Sequence, residues 1–123
     1  MIVLPFPPST NRLWRSVNGR NILSAAGRAY RKAGLEALEG QTHTLWPDSV
    51  RLSVVLTVCP PDRRRRDIDN YVKACLDLLT HGGVYGDDSQ IDRLTITRGP
   101  VERGGRAVVQ ITPITSTLFE AQP

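Results

Sequence analysis

From Arg51 to Val58 the chain alternates, with Leu52, Val54, Leu56 and Val58 on one side and Ser53 and Thr57 on the other. A period of two marks a strand buried on one face and wetter on the other. Pro60-Pro61 ends it, because proline offers no amide to a ladder. A chain that contains this strand must build a sheet around it and cover its apolar face.

The remaining pattern supplies the partners and the cover. Residues 1–4 read as a short strand stopped by Pro5-Phe6-Pro7-Pro8, which must run extended or turn. Arg12–Val17 and Arg20–Leu23 are expected to pair as a hairpin across Asn18-Gly19, a favoured two-residue turn. Ser24 is placed to cap a helix whose apolar side is Ala26, Ala29, Tyr30, Ala33 and Ala37, ending at Gly40. Residues 41–50 form a connection containing Pro47. A second helix is expected from Asp67 to Thr80, stopped by Gly82-Gly83. Ile91–Thr97 and Arg106–Thr112 alternate again across a loop with Gly and Pro, which suggests an antiparallel pair. The tail from Thr115 has no pattern and is expected to be loose. The expected fold class is α/β (α+β): one domain over residues 1–114, with a small mixed or mostly antiparallel sheet packed by two principal helices.

Several classes of protein are excluded by what is missing. No apolar run approaches the ~20 residues that span a bilayer. Met1-Ile2-Val3-Leu4 is halted by Pro5 and lacks the layout of a secretion signal, so a cytoplasmic protein with no membrane partner is expected. Cys59 and Cys75 match no paired metal or redox spacing and read as two buried thiols. His43 and His81 add nothing that resembles a zinc site.

The net charge is only +4, but its distribution is uneven. Residues 1–35 carry six basic side chains (Arg12, Arg15, Arg20, Arg28, Arg31 and Lys32) and no acidic one, whereas seven of the eight aspartates lie between Asp62 and Asp92. Fourteen of the sixteen basic residues are arginine, whose planar fork suits phosphate oxygens. A basic surface beside concentrated carboxylates fits a protein that grips a polyanion and holds a cation.

The densest chemistry lies in Asp62-Arg63-Arg64-Arg65-Arg66-Asp67-Ile68-Asp69-Asn70-Tyr71-Val72-Lys73. At about 100° per residue, Ile68, Val72, Cys75, Leu76 and Leu79 share the core side, while Asp69, Asn70, Lys73 and Asp77 share the opposite arc. The ordinary explanation is that Asp67 caps the helix, Asp69 complements its dipole and Lys73 pairs with Asp69 one turn away. Asp87-Asp88, on the loop after the helix, could fold back toward it, although by itself the pair reads as a polar turn. Two carboxylates ~4 Å apart repel by about 4 kcal/mol at an effective dielectric of 20, so several converging would need a cation. Oxygen donors without His or thiolate point to magnesium or manganese. Four consecutive arginines cannot all face one way: some are expected to pair with Asp62, Asp67 or Asp69, the others to meet phosphate.

These blocks together resemble the RusA family of Holliday junction resolvases. Leu4-Pro5-Phe6-Pro7-Pro8-Ser9-Thr10-Asn11-Arg12 is similar to the family's N-terminal Pro-rich signature, and Ser24-Ala25 through Gly27 with Tyr30-Arg31 to its next block. Asp62 through Asn70 with Lys73 matches the central motif, and Asp87-Asp88-Ser89-Gln90 the acidic motif that follows. Residues 36–50 show no clear match, and Tyr85-Gly86 replaces the bulkier pair that often precedes the two aspartates.

The resemblance implies an intertwined homodimer that is bacterial or carried by a prophage and cuts four-way DNA junctions with magnesium. By position it implies Asp67, Asp69 and Asp88 as metal ligands and Lys73 as the essential cation beside them. It implies Ser9, Thr10, Asn11 and Arg12, with Arg63, Arg64, Arg65 and Arg66, as DNA contacts. Two other readings compete: a non-catalytic, structure-selective DNA-binding protein, and a magnesium-dependent nucleotide hydrolase. The second is weakened by the lack of a Gly-rich phosphate loop.

Overall fold

A computed structural model describes residues 1–115. The elements run β1 (Ile2–Leu4), α1 (Thr10–Leu13), β2 (Trp14–Val17), β3 (Arg20–Leu23), α2 (Ala25–Glu39), β4 (Arg51–Cys59), α3 (Val72–His81), β5 (Ile91–Arg98) and β6 (Arg106–Ile114). Short 3₁₀ turns at Ile68–Tyr71 and Asp88–Gln90 lead into α3 and β5. The described chain is thus the expected α/β domain; most of the tail expected from Thr115 lies outside the described residues.

The four-stranded sheet has the order β1-β6-β4-β5, and β2-β3 form a separate hairpin. Leu52, Val54, Leu56 and Val58 are all buried, as their alternation requires, and form one core with Tyr30, Leu38, Ala74, Cys75, Leu78 and Leu79 from α2 and α3. β4 pairs antiparallel with β6 and parallel with β5.

The expected β5–β6 antiparallel pair is therefore corrected: β4 lies between them. The most apolar strand takes the centre, where both edges are hydrogen-bonded, and β5, exposed along most of its length, takes the edge. Alternation reports half-burial and does not name the neighbour. A parallel neighbour needs a crossover, and α3 supplies it between β4 and β5. That crossover carries the arginine run, Asp67, Asp69 and Lys73 out from the end of β4 and returns through Asp87-Asp88.

Three local expectations also change. The hairpin turns at Asn18 (φ 52°) and Gly19 (φ 77°), but β2 starts at Trp14 because Thr10–Leu13 forms a helical turn. Its register pairs Trp14 with Leu23, after which Ser24 leaves the ladder to cap α2. The Ser24 hydroxyl accepts the Gly27 amide at 2.9 Å and reaches back to the Arg12 and Leu13 carbonyls.

In α2 the buried face is Gly27, Tyr30, Gly34 and Leu38, not the alanine stripe; Ala29 and Ala33 are exposed. The reason is clearance. A Cβ on Gly27 would lie 2.5 Å from the Leu13 carbonyl oxygen, and one on Gly34 would lie 2.2 Å from the Leu78 side chain.

The second helix is α-helical only from Val72, and its core side is Ala74, Cys75, Leu78 and Leu79 behind buried Tyr71. Ile68, assigned to the core from a continuous helix, is 38% exposed because the 3₁₀ turn changes the winding ahead of it. Cys59 and Cys75 are buried and free, as expected.

Candidate active site

The segment after β4 is anchored by Asp62. Its carboxylate meets Arg66 at 2.8 Å and Arg64 at 3.1 Å and accepts the Arg64 amide at 3.0 Å. These contacts, Arg66 first, hold Asp62 well below the usual carboxylate range. Arg66 turns inward, its side chain 11% exposed and its guanidinium 5.5 Å from the Phe6 ring centroid. Arg63, Arg64 and Arg65 face solvent. The run divides as its length requires: Arg66 and Arg64 hold Asp62, and Arg63 and Arg65 remain available at the surface.

Asp67 and Asp69 follow, both exposed. Asp67 occupies the N-cap position in extended conformation, yet its side chain makes no capping hydrogen bond. Among the described residues no ion pair engages either carboxylate. Lys73 meets Asp77 at 3.1 Å, which raises its pKa. The ordinary explanation of this cluster, a cap plus an Asp69–Lys73 pair, is not what the side chains do.

The paired aspartates beyond α3 have different surroundings. Asp87 caps its 3₁₀ turn, accepting the Ser89 amide at 2.9 Å, while the Gln90 side chain completes a capping box. The Gln90 amide is buried; it accepts from the Gly86 and Asp87 amides and donates to the Pro47 and Val50 carbonyls. With the turn fixed this way, Asp88 is directed back at α3. Its Oδ1 receives the Thr80 hydroxyl at 2.5 Å and lies 3.1 Å from the Tyr85 hydroxyl, while Oδ2 lies 4.0 Å from Lys73 Nζ.

The N-terminal Pro-rich segment packs beside this region. The Thr10 hydroxyl donates to the Asn70 carbonyl at 3.0 Å, tying α1 to the turn that holds Asp69. Phe6 packs against Tyr71 with ring centroids 5.0 Å apart. Ser9 and Arg12 line the same open groove, about 660 Å³, as Arg64, Arg65 and Arg66. Two sequence blocks far apart in the chain thus form one cationic groove next to the exposed aspartates. Asn11 is exposed at its side of α1, and Thr10 serves as a tie.

The model of the family described as endodeoxyribonuclease RusA matches residues 5–112. The chain belongs to the RusA family. Among its relatives, the crossover junction endodeoxyribonuclease RusA of Enterobacteria phage 82 is 40% identical over 114 residues, covering 90% of this chain and 92% of the relative. The proteins of the same name from Escherichia coli strain K12 and Enterobacteria phage HK97 are 39% and 38% identical. The first covers 90% of this chain and 92% of its own length, the second 93% and 94%. The RusA match embraces the groove, Asp67, Asp69, Lys73 and the Asp88 turn together.

A RusA-type nuclease implies a divalent metal, and the donors here suit a hard cation. Asp67 and Asp69 present exposed carboxylates, and Asp88 turns one oxygen toward Lys73. The thiols of Cys59 and Cys75 are buried. Among the described residues no three of His, Cys, Asp and Glu already stand close enough to hold an ion. What the structure does bring together is Lys73, Asp77 and Asp88. Three residues of this neighbourhood, Asp77, Thr80 and Tyr85, were not singled out from the sequence as site residues. Asp77 was visible one turn beyond Lys73; Tyr85 stood out only as part of the Tyr85-Gly86 departure, and Thr80 carried no signal, because its partner lies beyond the end of the helix. Among the described residues no helix is long and apolar enough to cross a membrane.

Proposed function

We propose that this chain is a magnesium-dependent crossover junction endodeoxyribonuclease that resolves four-way DNA junctions as a homodimer in the bacterial cytoplasm. In this reading Asp67, Asp69 and Asp88 supply the carboxylate oxygens that hold the cation, with manganese as its substitute. When bound, the metal supplies Lewis-acid chemistry at the scissile phosphate. Lys73, held in place by its pair with Asp77, stabilises the charge that builds on the phosphate and the departing oxygen. Ser9, Thr10, Asn11 and Arg12, with Arg63, Arg64, Arg65 and Arg66, are the DNA-contacting set. Among them Arg63 and Arg65 meet the backbone directly, and Arg66 holds the groove in shape.

A four-way junction has approximate two-fold symmetry, and a two-fold dimer presents two identical sites for paired nicks. The observation that supports the assignment is the approach of Lys73 to Asp88 within the region matched to the family, which also holds the exposed Asp67 and Asp69.

Asp69→Asn tests it. The variant is expected to bind a four-way junction as the parent does and to stop cutting it. Full cleavage by Asp69→Asn would remove that residue from the site.

A further inference from the structure

Asp88 is gripped by two hydroxyls that the proposed chemistry does not use. Thr80, on the last turn of α3, reaches Asp88 Oδ1 at 2.5 Å, and Tyr85 reaches the same oxygen at 3.1 Å. Both hydroxyls also face the Leu76 carbonyl, at 3.1 and 3.0 Å. Each hydroxyl has one proton to give, so at any moment one of them donates to Asp88 Oδ1 while the other turns to the Leu76 carbonyl. Tyr85 is 1% exposed and cannot swing away, and burial keeps its phenol protonated far above the ordinary range. The grip falls on one oxygen of Asp88. The other, Oδ2, points to Lys73.

We propose that Thr80 and Tyr85 are positioning residues that clamp Asp88 Oδ1, so that the carboxylate offers Oδ2 alone to a divalent cation. The inference rests on the reading of Asp88 as a metal ligand. A carboxylate fixed at one oxygen is a one-point ligand with a set direction, which suits the octahedral demands of magnesium better than a freely rotating group. Hydroxyls that hold a ligand in this way act on metal affinity and leave the DNA-gripping surface alone.

The test is Mn²⁺ titration calorimetry on the full chain without DNA, together with single-turnover junction cleavage. The variants are Thr80→Val, Thr80→Ser, Tyr85→Phe and Asp88→Asn. Thr80→Val is expected to weaken Mn²⁺ binding about tenfold and to slow cleavage in step, with junction affinity unchanged. Thr80→Ser, which keeps the hydroxyl, is expected to restore both to within about twofold, and Tyr85→Phe to weaken Mn²⁺ binding about threefold.

Parental Mn²⁺ affinity in a folded Thr80→Val, or a Thr80→Ser as defective as the valine variant, would overturn the clamp. Should Thr80→Val fail to fold, Tyr85→Phe decides, and parental metal binding there overturns it. Asp88→Asn separates the two ideas. Loss of Mn²⁺ binding in Asp88→Asn beside a normal Thr80→Val overturns the clamp alone. Parental Mn²⁺ binding and cutting by Asp88→Asn overturn the ligand assignment, and the clamp with it.

Discussion

Lys73 pairs with Asp77 ahead of it on α3, at 3.1 Å, and makes no ion pair with Asp69 behind it. The lysine is thereby held on the side of the helix that faces the Asp88 turn, 4.0 Å from that carboxylate. Lys73→Met is expected to abolish junction cleavage while changing stability by no more than about 0.5 kcal/mol, since the pair is exposed. Asp77→Asn, which frees the lysine, is expected to slow cleavage several-fold without altering junction affinity. Rate constants under single-turnover conditions, alongside urea denaturation, check both.

The arginine run should separate into two behaviours. Arg63→Ala with Arg65→Ala is expected to leave the fold intact and to lower the slope of log affinity against log salt by about 2, two phosphate contacts being lost. Arg66→Ala removes the nearer of the two arginine partners of Asp62 and the cation over Phe6, and is expected to destabilise the protein by about 1–2 kcal/mol. Salt titrations of binding and urea midpoints distinguish the two classes. Identical effects from Arg65 and Arg66 would contradict the division.

Gln90 is the structural centre of the acidic turn. Gln90→Leu keeps the volume but deprives the Gly86 and Asp87 amides and two carbonyls of their partner. A loss of at least about 2 kcal/mol is expected. Cleavage should fall as well, because Asp88 is aimed by this turn. Denaturation and single-turnover cleavage measure the two effects.

How far the sequence carried the fold is clearest in its strands and its glycines. β4 could be read because its alternation is intrinsic to the strand, whereas its neighbours depend on contacts between distant segments. Gly27 and Gly34 were invisible as core positions because their contribution is the absence of a side chain where Leu13 and Leu78 approach. Among the site residues, the two motif blocks were legible as blocks. The division of labour within them was not: that Asp88 faces Lys73, and that Arg66 turns in over Phe6 while Arg63 and Arg65 stay out, depends on partners remote in sequence.

Gly27→Ala follows from the same clearance. The added methyl meets a backbone oxygen, so α2 or α1 must move, and a loss of about 1–3 kcal/mol is expected despite alanine's better helix propensity. An unfolding midpoint at or above the parent's would show that the contact is not tight.

The buried thiol gives a pH signature. Desolvation pushes Cys75 up to about 12, whereas a thiol in the unfolded chain ionises near ~8.5. Because the folded state keeps its proton while the unfolded state sheds it, stability is retained below pH ~8.5 and declines as pH rises toward 12, by up to about 1.4 kcal/mol per pH unit. Cys75→Ala should flatten that decline between pH 9 and 10, as read from urea midpoints. An unchanged slope would assign the decline to other groups.

Cleavage of a synthetic four-way junction and of a linear duplex of the same arm sequence, each with Mg²⁺ and with EDTA, tests the central claim most directly. Paired symmetric nicks in the junction with Mg²⁺, little cutting of the duplex, and none of either with EDTA are the expected result. Junction cutting that survives EDTA, equal cutting of both substrates, or an intact junction in Mg²⁺ would contradict it.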